Sequence, residues 1–392
     1  MKRILLKNLH ICTADKTIEN GFIKIEDQKI LEIGLVSNLE NIDGFEVVEI
    51  PYRYVAVPGF IDVHIHGVNG ADVMDATTEA LNNMVSTLPG EGTTSFLATT
   101  ITQSSSEIEK ALLNARQYIE NCQIEGQAEI LGIHLEGPFV NTKMAGAQPK
   151  EHIIDPNLEV FKKWEAISNK HIKLVTLSPE RPGGLDLIRY LKDQSIVASI
   201  GHSDATYNEV MDAIDAGANH VTHLFNQMKG LHHREPGVVG AAFLHNELKA
   251  ELIVDGIHVR PEMVKLAYKQ KGNSGIILIT DAMRAKCLKN GKYNLGGQEV
   301  FVGEGKAVLE DGTLAGSILK LSQGIKNMLS YTGCTLHDVV QMASVNPAKQ
   351  LNIFNRKGSI AIGKDADIVI LNENMDIYMT YCRGKLAFHK EG

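Results

Sequence analysis

The feature that most constrains the fold is a repeat of apolar, strand-like runs, at 55–63, 93–100, 129–135, 172–177, 196–201, 220–225, 250–255 and 275–280. Most are separated by segments with apolar residues at three-to-four spacing, such as Glu107-Ile108-Glu109-Lys110-Ala111-Leu112-Leu113, which is helical periodicity. Runs of Val, Ile and Leu without strict alternation suit strands buried on both faces, as in a parallel sheet. Eight such strands alternating with helices, over about 290 residues, predict an α/β chain folded as a (β/α)8 TIM-like barrel. An open doubly wound sheet is the alternative, and the count of eight favours the barrel.

The two ends read differently. Phe22-Ile23-Lys24-Ile25-Glu26 alternates apolar and polar, and Asp27-Gln28 turns the chain into Lys29-Ile30-Leu31-Glu32-Ile33-Gly34, a hairpin of period two. Asp367-Ile368-Val369-Ile370-Leu371 and Ile377-Tyr378-Met379-Thr380-Tyr381 repeat the pattern at the C-terminus. Neither piece, at roughly 55 and 40 residues, buries enough surface to stand alone. They are expected to pair into one small β-sandwich domain, residues 1–55 with 355–392, beside a barrel of residues 56–354. Residues 284–316 are Gly-rich, hairpin-like and long for a βα connection, which predicts an active-site lid.

Composition removes several classes of function. Of 392 residues, 39 are Lys or Arg and 47 Asp or Glu, a net charge of −8, which argues against a nucleic-acid binder. At 44% hydrophobic and 22% charged the chain is not of the disordered or fibrous kind. The five cysteines are scattered and form no C-x-x-C, as expected of a reducing compartment. No signal-like segment and no apolar run of about 18 residues occurs, so no membrane association and a cytoplasmic location are expected.

Chemistry in such barrels collects at the C-terminal ends of the strands. The first run leads into Asp62-Val63-His64-Ile65-His66-Gly67, where His64 and His66, two apart, point to the same side of a strand. The third ends at Leu135-Glu136-Gly137-Pro138, the fifth at Gly201-His202-Ser203-Asp204, the sixth at Thr222-His223-Leu224 and the eighth at Thr280-Asp281-Ala282. Each is ambiguous alone, since a strand-end histidine or carboxylate can be a hydrogen-bonded core residue. Five strands presenting a metal-competent residue at the same end point instead to a metal site. No G-x-S-x-G, G-x-x-x-x-G-K-[ST] or G-x-G-x-x-G occurs, and no cysteine neighbours a histidine as a thiolate nucleophile would. The chemistry on offer is that of metal-activated water.

With these residues assembled, the chain resembles the amidohydrolase superfamily, and more narrowly the branch that deacetylates N-acetylglucosamine 6-phosphate. The resemblance covers essentially the whole chain. It runs through Pro58-Gly59-Phe60-Ile61-Asp62-Val63-His64-Ile65-His66-Gly67, Leu135-Glu136-Gly137-Pro138-Phe139, Gly201-His202-Ser203-Asp204-Ala205 and Thr222-His223-Leu224-Phe225-Asn226-Gln227-Met228. It continues in Arg234-Glu235-Pro236-Gly237, Asp255-Gly256-Ile257-His258, Thr280-Asp281-Ala282 and Leu314-Ala315-Gly316-Ser317. The Leu-Glu-Gly-Pro-Phe and Arg-Glu-Pro-Gly motifs are the narrow ones. Many superfamily relatives bridge two metals with a carboxylated lysine at the end of the fourth strand. Here Lys173 lies at the beginning of that strand, which weakens a hydantoinase or dihydroorotase reading.

The resemblance implies Glu136, His202 and His223 as one metal site, His64 and His66 as a second, and Glu136 as the bridge. It implies one or two divalent ions per chain; zinc, iron, manganese and cobalt all suit imidazole and carboxylate donors. Asp281 matches the catalytic aspartate, as general base and then general acid. Arg234 is the expected phosphate partner, reaching a neighbouring subunit's site, which implies a homodimer. Ala147, Asn226, Gln227, His258, Leu314, Ala315 and Gly316 match other substrate-contacting positions; His258 is left open between the acetyl carbonyl and the sugar or phosphate. The implied reaction releases acetate from the small-molecule sugar phosphate. The rivals are another amidohydrolase acting on a cyclic amide or aminated base, and a non-catalytic barrel subunit. His134 is expected to be a buried supporting histidine rather than a ligand.

Overall fold

In the computed structural model, which describes residues 2–390, the repeat closes as a barrel. Its strands are β1 (Phe60–Ile65), β2 (Thr93–Thr100), β3 (Glu129–Glu136), β4 (Ile172–Leu177), β5 (Val197–Ile200), β6 (His220–Val221), β7 (Lys249–Ile253) and β8 (Ile276–Ile279). They pair in parallel in strict sequence order. Each is followed by a helix, from Thr78–Thr87 after β1 to Leu321–Thr332 after β8. The helices start at the C-terminal end of the barrel, four of the eight with polar side-chain caps; Thr206, for example, accepts from the Glu209 N–H while Glu209 bonds back to it.

The ring is completed without a full β8–β1 ladder. Asp281 N–H donates to His64 O at 2.8 Å, His66 N–H to Ala282 O at 2.9 Å, and the buried Thr280 hydroxyl to Asp62 Oδ2 at 2.6 Å. Burial pushes Asp62 up to about 6, against the pull of Lys286 and Thr280. The closing seam therefore sits directly beneath the strand ends that carry His64, His66 and Asp281.

One sequence run divides. Residues 55–63 were expected as one barrel strand, but Val55–Pro58 belongs to the second sheet and the barrel strand starts at Phe60. The break is local chemistry: Pro58 has no N–H to continue a ladder, and Gly59 N–H turns away to Asp367 O at 2.9 Å. A Cβ on Gly59 would come within 2.0 Å of Thr94 Oγ1, so only glycine allows the crossing. The sixth run, expected over 220–225, is extended only at His220–Val221, because His223 and Phe225 adopt positive φ of 30° and 80°.

Both termini form the small β domain, built as one sheet of eight strands. Its order is Lys385–His389, Ile377–Cys382, Ile368–Leu371, Val55–Pro58, Arg3–Cys12, Thr17–Glu26 and Lys29–Leu35, with Glu46–Glu49 also on Arg3–Cys12. The predicted N-terminal hairpin pairs Glu26 with Lys29, and the C-terminal one Ile368 with Tyr381. The domain meets the barrel at buried charges: Glu129, first residue of β3, binds Arg356 at 2.8 Å and Lys357 at 2.7 Å, and Lys357 also binds Asp365 and Asp367. The expected lid is a three-stranded antiparallel sheet, Gly291–Leu295, Gln298–Gly303 and Lys306–Val308. No helix among the described residues is long and apolar enough to cross a membrane.

Candidate active site

Six side chains meet at the C-terminal mouth. Glu136, the last residue of β3, is the hub: its Oε1 lies 3.3 Å from the Nε2 atoms of His64, His202 and His223, and its Oε2 lies 3.3 Å from His66 Nε2. Asp281 Oδ1 lies 3.4 Å from His64 Nε2 and 3.3 Å from His66 Nε2. Two triads result, Glu136–His202–His223 and His64–His66–Asp281.

The chemistry of these donors fits a divalent cation. His202 Nδ1 lies 2.8 Å from Met144 O, which can only accept, so Nδ1 carries a proton and the Nε2 turned inward is the nitrogen whose lone pair could bind a cation. That lone pair faces a carboxylate oxygen and, at 3.1 Å, His223 Nε2. Acceptors pressed together in a dry interior need a positive charge between them. Ligand atoms about 2.1 Å from a tetrahedral ion would stand about 3.4 Å apart, the spacing observed.

Electrostatics agree. Burial disfavours charge on His64, but Asp281, Glu136 and Glu251 outweigh it and push its pKa well above the ordinary value; His66 is likewise pushed up to about 9. Burial would raise Glu136, yet His64 and the other imidazoles hold it well below the carboxylate range, and Asp281 is lowered by the same partners. A region that draws protons onto two imidazoles also draws a metal ion, and the two compete.

Three of the six sit on unusual backbone. His202, His223 and Asp281 have φ of 49°, 30° and 48°, in the left-handed region that non-glycine residues seldom adopt. Strain of this kind persists only where surrounding structure enforces it. Here the chain turns sharply two residues past the end of each strand and aims the side chain across the mouth instead of along the strand.

A cleft opens above the cluster, with His66, Glu136, His202, His223 and Asp281 in its lining. Of the residues expected to contact substrate, Ala147, Asn226, Gln227, His258, Leu314 and Gly316 line it. Ala315 does not; it is buried in the core of the lid, its N–H on Ala307 O. Arg234 is also outside the cleft, exposed, its guanidinium on His233 Nε2 at 2.8 Å. His258 is held by Asp255 Oδ2 on its Nδ1 at 2.6 Å; burial alone would lower its pKa, and the carboxylate more than reverses this. Leu295 brings the lid into the wall, and the lid is latched by Gln298 donating to Ala147 O and Gln103 to Gly296 O.

Two residues of the site were not anticipated. Gln148 donates to Glu136 Oε2 at 2.8 Å and accepts the Thr102 N–H, fixing the hub carboxylate in place. Glu251, on β7, lies beneath the cluster against His64 and His220. His134 stays out of the two triads, neutral by burial, with Nε2 on Thr176 Oγ1 at 2.8 Å.

Comparison with known proteins places the chain in a family. Residues 55–387 match the amidohydrolase family. The chain is 51% identical to an N-acetylglucosamine-6-phosphate deacetylase of Bacillus subtilis over 98% of its own length and 97% of the relative's. It superposes on the crystal structure of the Thermotoga maritima N-acetylglucosamine-6-phosphate deacetylase with a TM-score of 0.88 at 37% identity, covering 99% of this chain and 100% of the other. A Mycobacterium smegmatis structure of this deacetylase, a D267A mutant in complex with N-acetyl-D-glucosamine-6-phosphate, gives a TM-score of 0.91 at 29% identity, covering 99% and 100%.

Proposed function

Since the chain belongs to the amidohydrolase family, on the branch of the N-acetylglucosamine-6-phosphate deacetylases, we propose that it hydrolyses N-acetyl-D-glucosamine 6-phosphate to D-glucosamine 6-phosphate and acetate. The observation that carries the reading is the cluster of inward lone pairs around Glu136, set in the lining of a cleft at the mouth of this barrel. Glu136, His202 and His223 would hold one divalent cation, and His64 and His66 a second, with Glu136 between them. A bound divalent cation lowers the pKa of water toward about 7 and so supplies a nucleophile at neutral pH.

The chain's own residues do the rest. Asp281, ionised and at the mouth, accepts a proton from the attacking water and returns it to the nitrogen as the C–N bond breaks, so the amine leaves neutral and the water oxygen ends on acetate. His258, fixed through Nδ1 by Asp255, presents Nε2 to the substrate. Asn226, Gln227, Leu314 and Gly316 surround the sugar, and Gln148 keeps Glu136 from swinging toward it. Arg234 lies on a surface loop of its own subunit, which suits a phosphate contact delivered to a neighbour's cleft in a homodimer.

The test is acetate release from phosphorylated and unphosphorylated N-acetylglucosamine, with metal quantified on the same sample. Release from the phosphorylated sugar, greatly reduced without the phosphate, is expected. No release from either sugar by metal-loaded protein would overturn the assignment.

A further inference from the structure

A buried carboxylate beneath the mouth takes no part in the reaction as written. Layers inside such barrels are ordinarily filled by branched aliphatic side chains. Glu251 is instead fully enclosed there, on a strand with no other residue in the cluster. Burying a carboxylate costs several kcal/mol unless donors surround it. Glu251 has three. Oε2 accepts the His223 backbone N–H at 3.1 Å and lies 2.9 Å from His64 Nδ1, while Oε1 lies 3.0 Å from His220 Nε2.

The polarity of this arrangement is fixed at one point. A backbone N–H can only donate, so Oε2 is an acceptor, and His64 Nδ1 beside it must carry the proton it gives. A neutral imidazole protonated at Nδ1 has its lone pair at Nε2. His64 Nε2 is a buried nitrogen without a hydrogen-bond partner, directed between Glu136 and Asp281. The same oxygen holds the main chain of His223, whose φ of 30° needs external support. One carboxylate thus grips a ligand from each triad.

We propose that Glu251 is a positioning residue of the metal centre: it holds His64 in the Nδ1–H form and the His223 backbone in its turn, and thereby sets the affinity of the His64–His66 position. The inference rests on the two-metal reading above. Carboxylates behind metal-bound histidines orient the ring and raise its basicity, and losing one costs about 10- to 100-fold in metal affinity.

The experiment measures metal rather than turnover. Wild type, Glu251→Gln and Ser199→Ala are loaded, dialysed against graded chelator and assayed for metal per chain, with folding followed by circular dichroism. Ser199 belongs to the same buried polar layer, bonded to Thr222 Oγ1 at 2.5 Å, and touches no cluster residue. Glu251→Gln should release one of two ions at about 10- to 100-fold lower chelator than wild type, while Ser199→Ala releases both as wild type does. Excess metal should then restore kcat of Glu251→Gln with KM unchanged. Glu251→Gln holding both ions as tightly as wild type would overturn the proposal. Two-bond ¹H–¹⁵N spectra of histidine-labelled, zinc-loaded wild type give an independent reading, with the His64 signal identified by its loss in His64→Asn. His64 should be the Nδ1–H tautomer; the Nε2–H tautomer would overturn the proposal even if Glu251→Gln does not fold. A chain that binds two ions but releases no acetate would sink the deacetylase reading alone.

Discussion

Strand β3 begins and ends in a buried glutamate, and the two are handled in opposite ways. At Glu129 the chain supplies its own cations: Lys357 and Arg356 close on it and on Asp365 and Asp367. At Glu136, seven residues on, no lysine or arginine approaches among the described residues; four imidazole nitrogens and Asp281 surround it. Both carboxylates are held below their ordinary range, Glu129 at about 2. The first cluster is complete as folded, and it fastens the small β domain to the barrel. The second leaves His64 Nε2, directed between Glu136 and Asp281, without a partner. A closed ion network is structure; an open set of the same kinds of atoms is a receptor for a cation.

The sharpest way to break that contrast is to change one residue at each end. Asp281→Asn keeps the shape of the mouth and all five proposed metal ligands but removes the proton acceptor. Its kcat should fall by about 10²- to 10⁴-fold with metal content unchanged. Near wild-type turnover with metal retained would refute the catalytic role. At the other end, Lys357→Met leaves Glu129 and Asp365 with the half-buried Arg356 and takes from Asp367 its cation. Breaking such a network should cost about 3–5 kcal/mol in urea unfolding, while kcat per folded molecule and metal content stay as they were. If Lys357→Met lost metal instead, the two ends would not be separate.

Much of this organisation was legible in the chain, for reasons that also explain what was not. Apolar runs report burial, and eight of them spaced by helical periods leave few architectures open, so the barrel, the paired termini and the lid follow from pattern. Strand ends carry the chemistry, so His64, His66, Glu136, His202, His223 and Asp281 stand out by position. Periodicity does not report which sheet a strand joins: the apolar run 55–63 reads as one strand, and only the turn of Gly59 toward Asp367 divides it between the two sheets. Nor does it report contacts across the barrel. Glu251 in Ala250-Glu251-Leu252-Ile253 is an odd acid in an apolar strand, and its meaning appears only when His64, 187 positions away, lies 2.9 Å from it. Gln148 escaped because an amide is no metal ligand; its role is to hold one. Arg234 sits exposed outside the cleft, and its expected phosphate contact is a proposal that the geometry of one chain does not test.

The smallest expected effect lies in acid, and it separates the two ends without touching the mouth. Burial alone would raise Glu129, but Lys357 and Arg356 outweigh it and set the folded value at about 2, against 4.5 ordinarily. A carboxylate depressed on folding contributes stability that is complete above its unfolded value and lost as pH falls through its folded one. The window is therefore pH 4.5 down to about 2, and the contribution at neutral pH is about 3 kcal/mol at most. Glu129→Gln cannot titrate there. In chelator-treated protein, where acid can displace no metal, the stability gap between wild type and Glu129→Gln should be widest near pH 6. It should narrow steadily below pH 4.5, while the acid transitions of other carboxylates cancel between the two proteins. A gap that stayed constant to pH 2.5 would mean that Glu129 is not ionised by its partners, and the claim that this end of β3 carries its own cations would fail.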